Sequence, residues 1–233
     1  MVKAVIVTSE ILNRSFVAEI IGPAGAGKST LSRLLQSQND VRAGLSVWGL
    51  PLTLLAVSAI ASLPNLASLC RNRSRLGWED LKLVIQHNAL LRLIRRETGK
   101  RHQTLLLDEG TVFALAKLRA FGLQNADSGD YDPWMQSLLN KLAPTLNAVV
   151  WLDAPDAILA RRIREREKPH RMKERSDTEI SDHLSRYRNS FEGVVAEITK
   201  RNAAGFKVFK FSTDRVPLEE IATQVLAHAR ART

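Results

Sequence analysis

Short apolar runs alternate with longer stretches of mixed apolar and polar residues along this chain. The apolar runs have the length of buried strands and lie at 16–21, 104–107, 148–152 and 207–211. A further short strand is predicted at 2–7. Helices are predicted between and after the strands, at 30–36, 79–96, 131–142, 155–168, 176–201 and 218–229. This order predicts an α/β fold in which helices cover both faces of a mainly parallel central sheet.

Residues 43–70 form an unusual stretch that contains no charged side chain. Its length would allow it to span a bilayer. Pro51 and Pro64 interrupt it, and six Ser, Thr and Asn side chains make it only moderately apolar. We therefore predict buried helices of an acceptor-binding or lid region. Contact with a membrane surface and a true membrane span are the alternatives.

One motif predicts the chemistry. Residues 22–30 match the pattern G-x-x-x-x-G-K-[ST] between a predicted strand and a predicted helix. Glycines let successive backbone N–H groups point at phosphate oxygens, and the N-terminus of the following helix adds positive potential. The predicted nucleotide-binding residues are Gly22, Pro23, Ala24, Gly25, Ala26, Gly27, Lys28, Ser29 and Thr30.

The P-loop pattern also predicts the ligands of the site. Lys28 would place a positive charge at the β- and γ-phosphates, and Ser29 would offer a hydroxyl to Mg²⁺. Asp108 follows a buried apolar run, where P-loop proteins place a carboxylate on the metal side. Glu109 beside it is a candidate base for an acceptor hydroxyl. ATP and Mg²⁺ are thus the predicted ligands, while a helix cap or a solvated loop is the alternative for either carboxylate.

Basic residues are concentrated in the second half of the chain. Residues 161–175 contain eight basic and three acidic side chains, within a protein of formal charge +10. Arginines on a closing segment stabilise the charge that spreads over a transferring phosphoryl group. We predict this role for Arg162 and Arg166, four residues apart on one helix face, and for Arg171 behind them. A solvated helix face with Glu–Arg pairs is the alternative.

Length and composition set wide limits. The 233 residues, 45% apolar and 25% charged, suit one globular domain with insertions. Cys70 is the single cysteine, which agrees with a reducing cytoplasm. No signal peptide is evident. The basic charge indicates an anionic partner, which can be a polyphosphate ligand, nucleic acid or an acidic membrane.

Together with the P-loop, the segment Leu152-Asp153-Ala154-Pro155 and the arginine-rich helix after it resemble the nucleoside and nucleotide kinases, most closely thymidylate kinase and its relatives. The resemblance implies one P-loop kinase-like domain over 1–233, with an acceptor-binding region at 43–100 and a lid at 160–176. It also implies that the loop after the last strand, with Ser212 and Asp214, contacts adenine. A homodimer is left open.

The chain departs from this family at one position. Thymidylate-kinase-like proteins usually carry Asp-Arg after the middle strand, and the arginine holds the acceptor's phosphate. Here the residues are Asp108 and Glu109. A hydroxyl acceptor without a phosphate is thereby favoured over a nucleoside monophosphate. The uncharged segment adds the hypothesis of an apolar or lipid-linked acceptor.

The predicted function is transfer of the γ-phosphoryl group of MgATP to a small-molecule acceptor. A regulatory NTPase without a small-molecule acceptor is one alternative. A polynucleotide kinase is another, although the chain lacks the basic platform with interleaved aromatic residues on which single strands stack, and no specific nucleic acid is expected.

Overall fold

The computed structural model describes residues 15–72, 77–98, 104–122, 133–167 and 169–232, without the side chains of 64–72, 133 and 134. The strand predicted at 2–7 lies outside these ranges. The described strands are β1 (Phe16–Ile21), β2 (Val41–Leu45), β3 (Thr104–Asp108), β4 (Ala148–Asp153) and β5 (Lys207–Ser212). The described helices are α1 (Lys28–Gln36), α2 (Leu52–Asn72), α3 (Trp78–Thr98), α4 (Thr111–Phe121), α5 (Pro133–Leu142), α6 (Asp156–Glu165), α7 (Asp177–Arg201) and α8 (Leu218–Arg230).

The five strands form one parallel sheet in the order β2-β3-β1-β4-β5. The predicted parallel α/β fold is confirmed. β1 lies at the centre, where Ile20 pairs with Asp108 of β3 and Ile21 with Trp151 of β4. The carboxyl ends of these three strands therefore meet at the middle of one sheet edge, which is where ligands bind in sheets of this kind.

Two apolar cores, one on each face, fix the sheet between the helical layers. One core includes Leu90 of α3, Leu115 of α4 and Phe191 of α7. The other includes Leu31 of α1 and Ile221 of α8. Strands buried on both faces carry apolar side chains at successive positions, and this explains why their runs were recognisable in the sequence.

Two elements were not predicted. β2 is an edge strand in which only Val41 and Leu45 are buried, so it has no continuous apolar run. α4 is buried around most of its circumference, so its apolar side chains do not form one stripe at helical spacing. In contrast, α7 was predicted, and it begins with a capping box. Ser176 Oγ accepts a hydrogen bond from the Glu179 backbone N–H, and the Glu179 side chain accepts one from the Ser176 N–H.

The uncharged segment differs from its prediction in two ways. Pro64 does not end the helix, because α2 continues through it to Asn72. Hydrogen bonds anchor the turn before the proline: Ser62 Oγ donates to the Ser58 carbonyl and accepts from Asn88 Nδ2 of α3. The helix is also buried on one face only, since Ile60 is 69% exposed. Within the described part of the chain, no helix combines the length and hydropathy needed to cross a membrane.

His87 of α3 is a fully buried titratable residue. Burial lowers its pKa from 6.5 to about 4, and the positive charge of Lys141 acts in the same direction. A folded-state pKa below the unfolded value means that the ring's contribution to stability is present above about pH 6.5 and is lost as the pH falls towards 4. The full difference corresponds to about 3 kcal/mol, at about 1.4 kcal/mol per pKa unit.

We expect His87→Gln to weaken this pH dependence. Between pH 7.5 and pH 5, the free energy of unfolding of the native protein should fall by about 2 kcal/mol more than that of the variant. Urea unfolding at both pH values measures this. The other histidines are the same in both proteins and cancel in the comparison. If the free energy of unfolding falls equally with pH in both proteins, protonation of His87 does not destabilise the folded state.

Candidate active site

The P-loop begins with a backbone contact that only glycine permits. Gly22 has φ +143°, and a Cβ atom at this position would lie 2.0 Å from the Leu152 carbonyl oxygen of β4. The first residue of the loop is therefore pressed against the neighbouring strand. From this point the chain turns into α1, whose N-terminus begins at Lys28 after Gly27. The loop, strand and helix are arranged as the sequence predicted.

The Lys28 ammonium lies inside the curve of this loop. Nζ donates hydrogen bonds to the carbonyl oxygens of Gly22, at 2.8 Å, and Pro23, at 2.9 Å. Burial lowers the pKa of Lys28, while the negative charges of Glu109 and Asp108 oppose this shift. A cation held between two carboxylates at the entrance of a P-loop is positioned to meet phosphate oxygens.

Asp108 and Ser29 meet at the carboxyl ends of β3 and β1. The Ser29 side chain lies close enough to the Asp108 carboxyl to influence its pKa. Burial raises the pKa of Asp108, whereas Lys28 lowers it. Asp108 Oδ1 is buried and has no hydrogen-bond partner within the described ranges.

These residues fit a magnesium site. A hydroxyl, a carboxylate and an unsatisfied buried oxygen match the preference of Mg²⁺ for oxygen ligands. Across the part of the chain that the structure describes, no three His, Cys, Asp or Glu side chains converge as a complete metal site. Such partial coordination suits Mg²⁺, which in nucleotide sites keeps water molecules and takes phosphate oxygens as further ligands.

Glu109 has a strained backbone and faces the same space. It is the one non-glycine residue with positive φ, 55°, in the described ranges. Its carbonyl accepts a hydrogen bond from the Val47 N–H, and its Oε2 accepts one of 2.7 Å from Trp48 Nε1. Its charge also acts on Lys28 and on Tyr187. Strain of this kind is concentrated at functional sites, where surrounding contacts maintain it.

The three predicted arginines do not act from one helix face. The prediction that Arg162 and Arg166 share a face is wrong, because α6 ends at Glu165 and Arg166 has extended backbone. Arg166 is close enough to Lys28 to lower its pKa. Arg171 lies over the ring of Phe121, 4.9 Å from its centroid. Burial lowers the pKa of His170, and the positive charges of Arg166 and Arg171 lower it further.

Arg162 connects two loops instead. Its guanidinium donates to the Gly25 carbonyl at 3.3 Å, to Thr213 Oγ1 at 2.9 Å and to the Thr213 carbonyl at 3.0 Å. The loop after β5 is thereby held against the P-loop. Ser212 and Asp214 lie in this loop, where the Ser212 hydroxyl donates to Asp214 Oδ1 at 2.6 Å. The predicted adenine loop is thus beside the P-loop.

Aromatic side chains of α4 and α7 pack together next to Arg171. Tyr187 contacts Phe113 in a stacked arrangement and Phe121 in a tilted one, with ring centroids 6.2 and 5.0 Å apart. Arg171 Nη2 is 3.2 Å from Nδ1 of His183. A cleft of about 400 Å³ opens next to Phe121, Arg171 and His183. Among the side chains of α2 that the structure describes, none lines this cleft.

Two residues at the site were missed by the sequence reasoning. Trp48 follows β2, and nothing in its local sequence indicates that it contacts Glu109. Glu19 is a fully buried carboxylate in the middle of β1. A single charge within an otherwise apolar strand was a recognisable signal for a polar partner.

A family model described as an AAA domain, AAA_18, matches residues 19–182. The chain belongs to this AAA-domain family. The matched range extends from β1 through the P-loop, Asp108 and the lid into α7. No curated protein matches the chain by sequence.

Two of the solved structures with a similar fold are a nucleotide kinase and a nucleoside kinase. Thymidylate kinase from Candida albicans is 13% identical, with a TM-score of 0.53 over 94% of this chain and 92% of that chain. Deoxyadenosine kinase from M. mycoides, solved with dCMP and dCDP, is 14% identical, with a TM-score of 0.53 over 93% of this chain and 100% of that chain. These similarities confirm the predicted resemblance to P-loop nucleoside and nucleotide kinases at the level of the fold.

The Gly22 contact gives a direct test of the phosphate site. In Gly22→Ala, the added methyl group would collide with backbone, so the loop must move away from β4. We expect the Kd for MgATP to rise by roughly 100-fold or more, which corresponds to about 3 kcal/mol. Isothermal titration calorimetry measures this change.

Gly49→Ala is the matched control. Gly49 also has positive φ, 70°, but a Cβ there meets no atom within 4 Å. Gly49→Ala therefore introduces backbone strain without a collision of the new methyl group, and the affinity for MgATP should stay close to the native value. Equal losses in the two variants would mean that the contact with Leu152 does not shape the site.

Proposed function

We propose that this protein is an ATP-dependent kinase that transfers the γ-phosphoryl group of ATP to a hydroxyl of a small acceptor. The observation that carries the proposal is the P-loop that holds Lys28 by hydrogen bonds to the Gly22 and Pro23 carbonyls, with Asp108, Glu109 and Arg166 close enough to act on the Lys28 ammonium. Cations that meet phosphate oxygens and carboxylates that meet a metal and an acceptor proton are the groups that phosphoryl transfer requires.

Each group has a proposed role. The P-loop backbone and Lys28 bind the phosphates, while Ser29 and Asp108 would hold Mg²⁺. The metal ion, when bound, neutralises charge on the β- and γ-phosphate oxygens. Arg166 and Arg171, in the proposed lid at 160–176, would add positive charge and help to exclude water.

The proposed transfer breaks one P–O bond and forms another. The acceptor oxygen bonds to the γ-phosphorus, and the bond from that phosphorus to the β–γ bridging oxygen breaks. ADP leaves with the electron pair, and the acceptor proton passes to the Glu109 carboxylate. Trp48 Nε1 orients that carboxylate, because it donates to Oε2.

The proposed acceptor is a hydroxyl compound without a phosphate next to Glu109. An acceptor phosphate at this position would meet a carboxylate instead of the arginine that the resemblance implies, and like charges repel. We propose that the region 43–100 supplies further acceptor contacts, since Trp48 already reaches Glu109. A cytoplasmic location agrees with the single cysteine.

A lipid-linked acceptor is the second candidate. The exposed side chains of α2 favour it, since Leu52 is 82% and Leu63 59% exposed. The cleft beside the proposed lid does not favour a lipid-linked acceptor, because much of its lining is charged. The charged lining residues are Arg171, Arg175, Glu179, Asp182 and Arg186. A homodimer through α2 is a further use of the same surface.

Acceptor-dependent turnover tests the main proposal. ADP release from MgATP is measured with sugars, nucleosides, nucleoside monophosphates and small alcohols, and we expect a hydroxyl compound without phosphate to stimulate it. Lys28→Ala should abolish the stimulated rate, while Lys200→Ala, an exposed lysine on α7, should keep it. Nucleotide binding without stimulation by any acceptor would favour the regulatory NTPase.

The role of Glu109 can be tested separately. Glu109→Gln keeps an oxygen for the Trp48 N–H but removes the base, so kcat should fall by about 10²- to 10⁴-fold. The KM for MgATP should change little, because the P-loop is intact. Trp48→Phe, which removes only the indole donor, should have a smaller effect. An unchanged kcat in Glu109→Gln would leave Asp108 as the proton acceptor.

A further inference from the structure

Glu19 is a buried carboxylate that the proposed transfer does not use. It lies in the middle of β1, fully enclosed, three residues before the P-loop begins. Four donors point at it. The Glu19 oxygens accept hydrogen bonds from the backbone N–H groups of Gly110, Val112 and Phe113, at 3.1, 2.8 and 2.8 Å, and from Thr111 Oγ1 at 3.0 Å.

These donors belong to the first turn of α4 and the residue before it. The N–H groups at a helix N-terminus have no partner within the helix, and a negative charge there is favourable. Gly110 has no side chain cap of its own. The carboxylate from β1 thus does what a capping side chain normally does, but it comes from a different element of the fold.

The fit around Gly110 is tight. A Cβ atom there would lie 2.8 Å from the Glu19 carboxylate and 2.8 Å from Leu107 Cβ. The backbone that follows Glu109 is therefore held directly against the carboxylate. Since Asp108 and Glu109 precede Gly110, the position of both carboxylates depends on where this turn is fixed.

We propose that Glu19 is a positioning residue that fixes the Asp108–Glu109 turn relative to the P-loop. β1 carries the P-loop at its carboxyl end, and Glu19 on the same strand holds the turn that directly follows Asp108, the last residue of β3. One rigid strand thereby sets the separation between Ser29 and Asp108. The inference rests on the proposed function, because it assigns the turn a role in metal binding and transfer.

If Glu19 served only to stabilise the N-terminus of α4, the capping side chain would not need to come from β1. α4 is already buried on several sides, with Val112, Leu115 and Leu118 in the core. The hydrogen bonds of Glu19 instead join β1, which leads into the P-loop, to the turn after Asp108. In the proposed site the metal ion would lie between these two segments. Groups that orient metal ligands typically change metal affinity or activity by about 10- to 100-fold when they are mutated.

Glu19→Gln tests the proposal with an equilibrium measurement. The amide keeps the size of the side chain but places an NH₂ group among donors. ATP affinity is measured with and without Mg²⁺. The gain in affinity from Mg²⁺ should fall by about 10-fold, while metal-free ATP affinity should stay within about 2-fold of the native value. Hydrogen exchange of the amides of 110–113 should become faster.

Ile20→Val is the matched control. It alters the next residue of the same strand, which is equally buried but packs in the opposite core. It should lower the melting temperature and leave the Mg²⁺-dependent gain unchanged. If Glu19→Gln lowers the melting temperature but keeps the native Mg²⁺ gain, Glu19 is only a structural cap and the proposal is overturned.

A second variant covers the case in which Glu19→Gln does not fold. Thr111→Val removes one of the four donors without changing β1. It should reduce the Mg²⁺-dependent gain by about 2- to 5-fold, and a native gain would again overturn the proposal. Absence of acceptor-stimulated turnover in the native protein would count against the kinase proposal, while the binding measurements would still test the role of Glu19.

Discussion

The approach of the Gly22 backbone to the Leu152 carbonyl is the constraint on which the site depends. Two neighbouring parallel strands end side by side here, and the chain must turn away from the sheet within one residue. With no Cβ, Gly22 lets the loop lie against β4 and curl around Lys28. The same contact explains why the loop after β4 and the P-loop face a common space.

Charge balance follows from this geometry. Lys28 is drawn into the curve of the loop, where burial disfavours its charge, and two carboxylates from the end of β3 offset that effect. The opposite applies to Asp108, whose ionised form is disfavoured by burial and favoured by Lys28. Burial disfavours the charged form of Lys28 and that of Asp108 when each is considered alone. The ammonium and the carboxylates therefore stabilise each other's charge.

The basic residues at 161–175 make two kinds of contact that the sequence does not distinguish. Arg162 holds the loop after β5 against the P-loop, whereas Arg166 lies near Lys28. The end of α6 between them separates these roles. Arg188 of α7 adds a third contact, since it forms ion pairs with Asp153 at the end of β4 and with Asp156 of α6. The ends of β4 and β5 are therefore joined to α6 through arginine side chains.

The sequence alone determined the parts of the protein that depend on interactions between residues close together in the chain. A continuous apolar run predicts a strand buried on both faces, glycine spacing predicts the P-loop, and Ser176 with Glu179 predicts the start of α7. Asp108 and Glu109 were predicted at the carboxyl end of a strand, and they lie at the end of β3 and directly after it. Only the tertiary structure could bring Trp48 to Glu109 or Glu19 to the first turn of α4. These contacts join residues far apart in the chain, and they exist because the strand order places β1, β2 and β3 side by side.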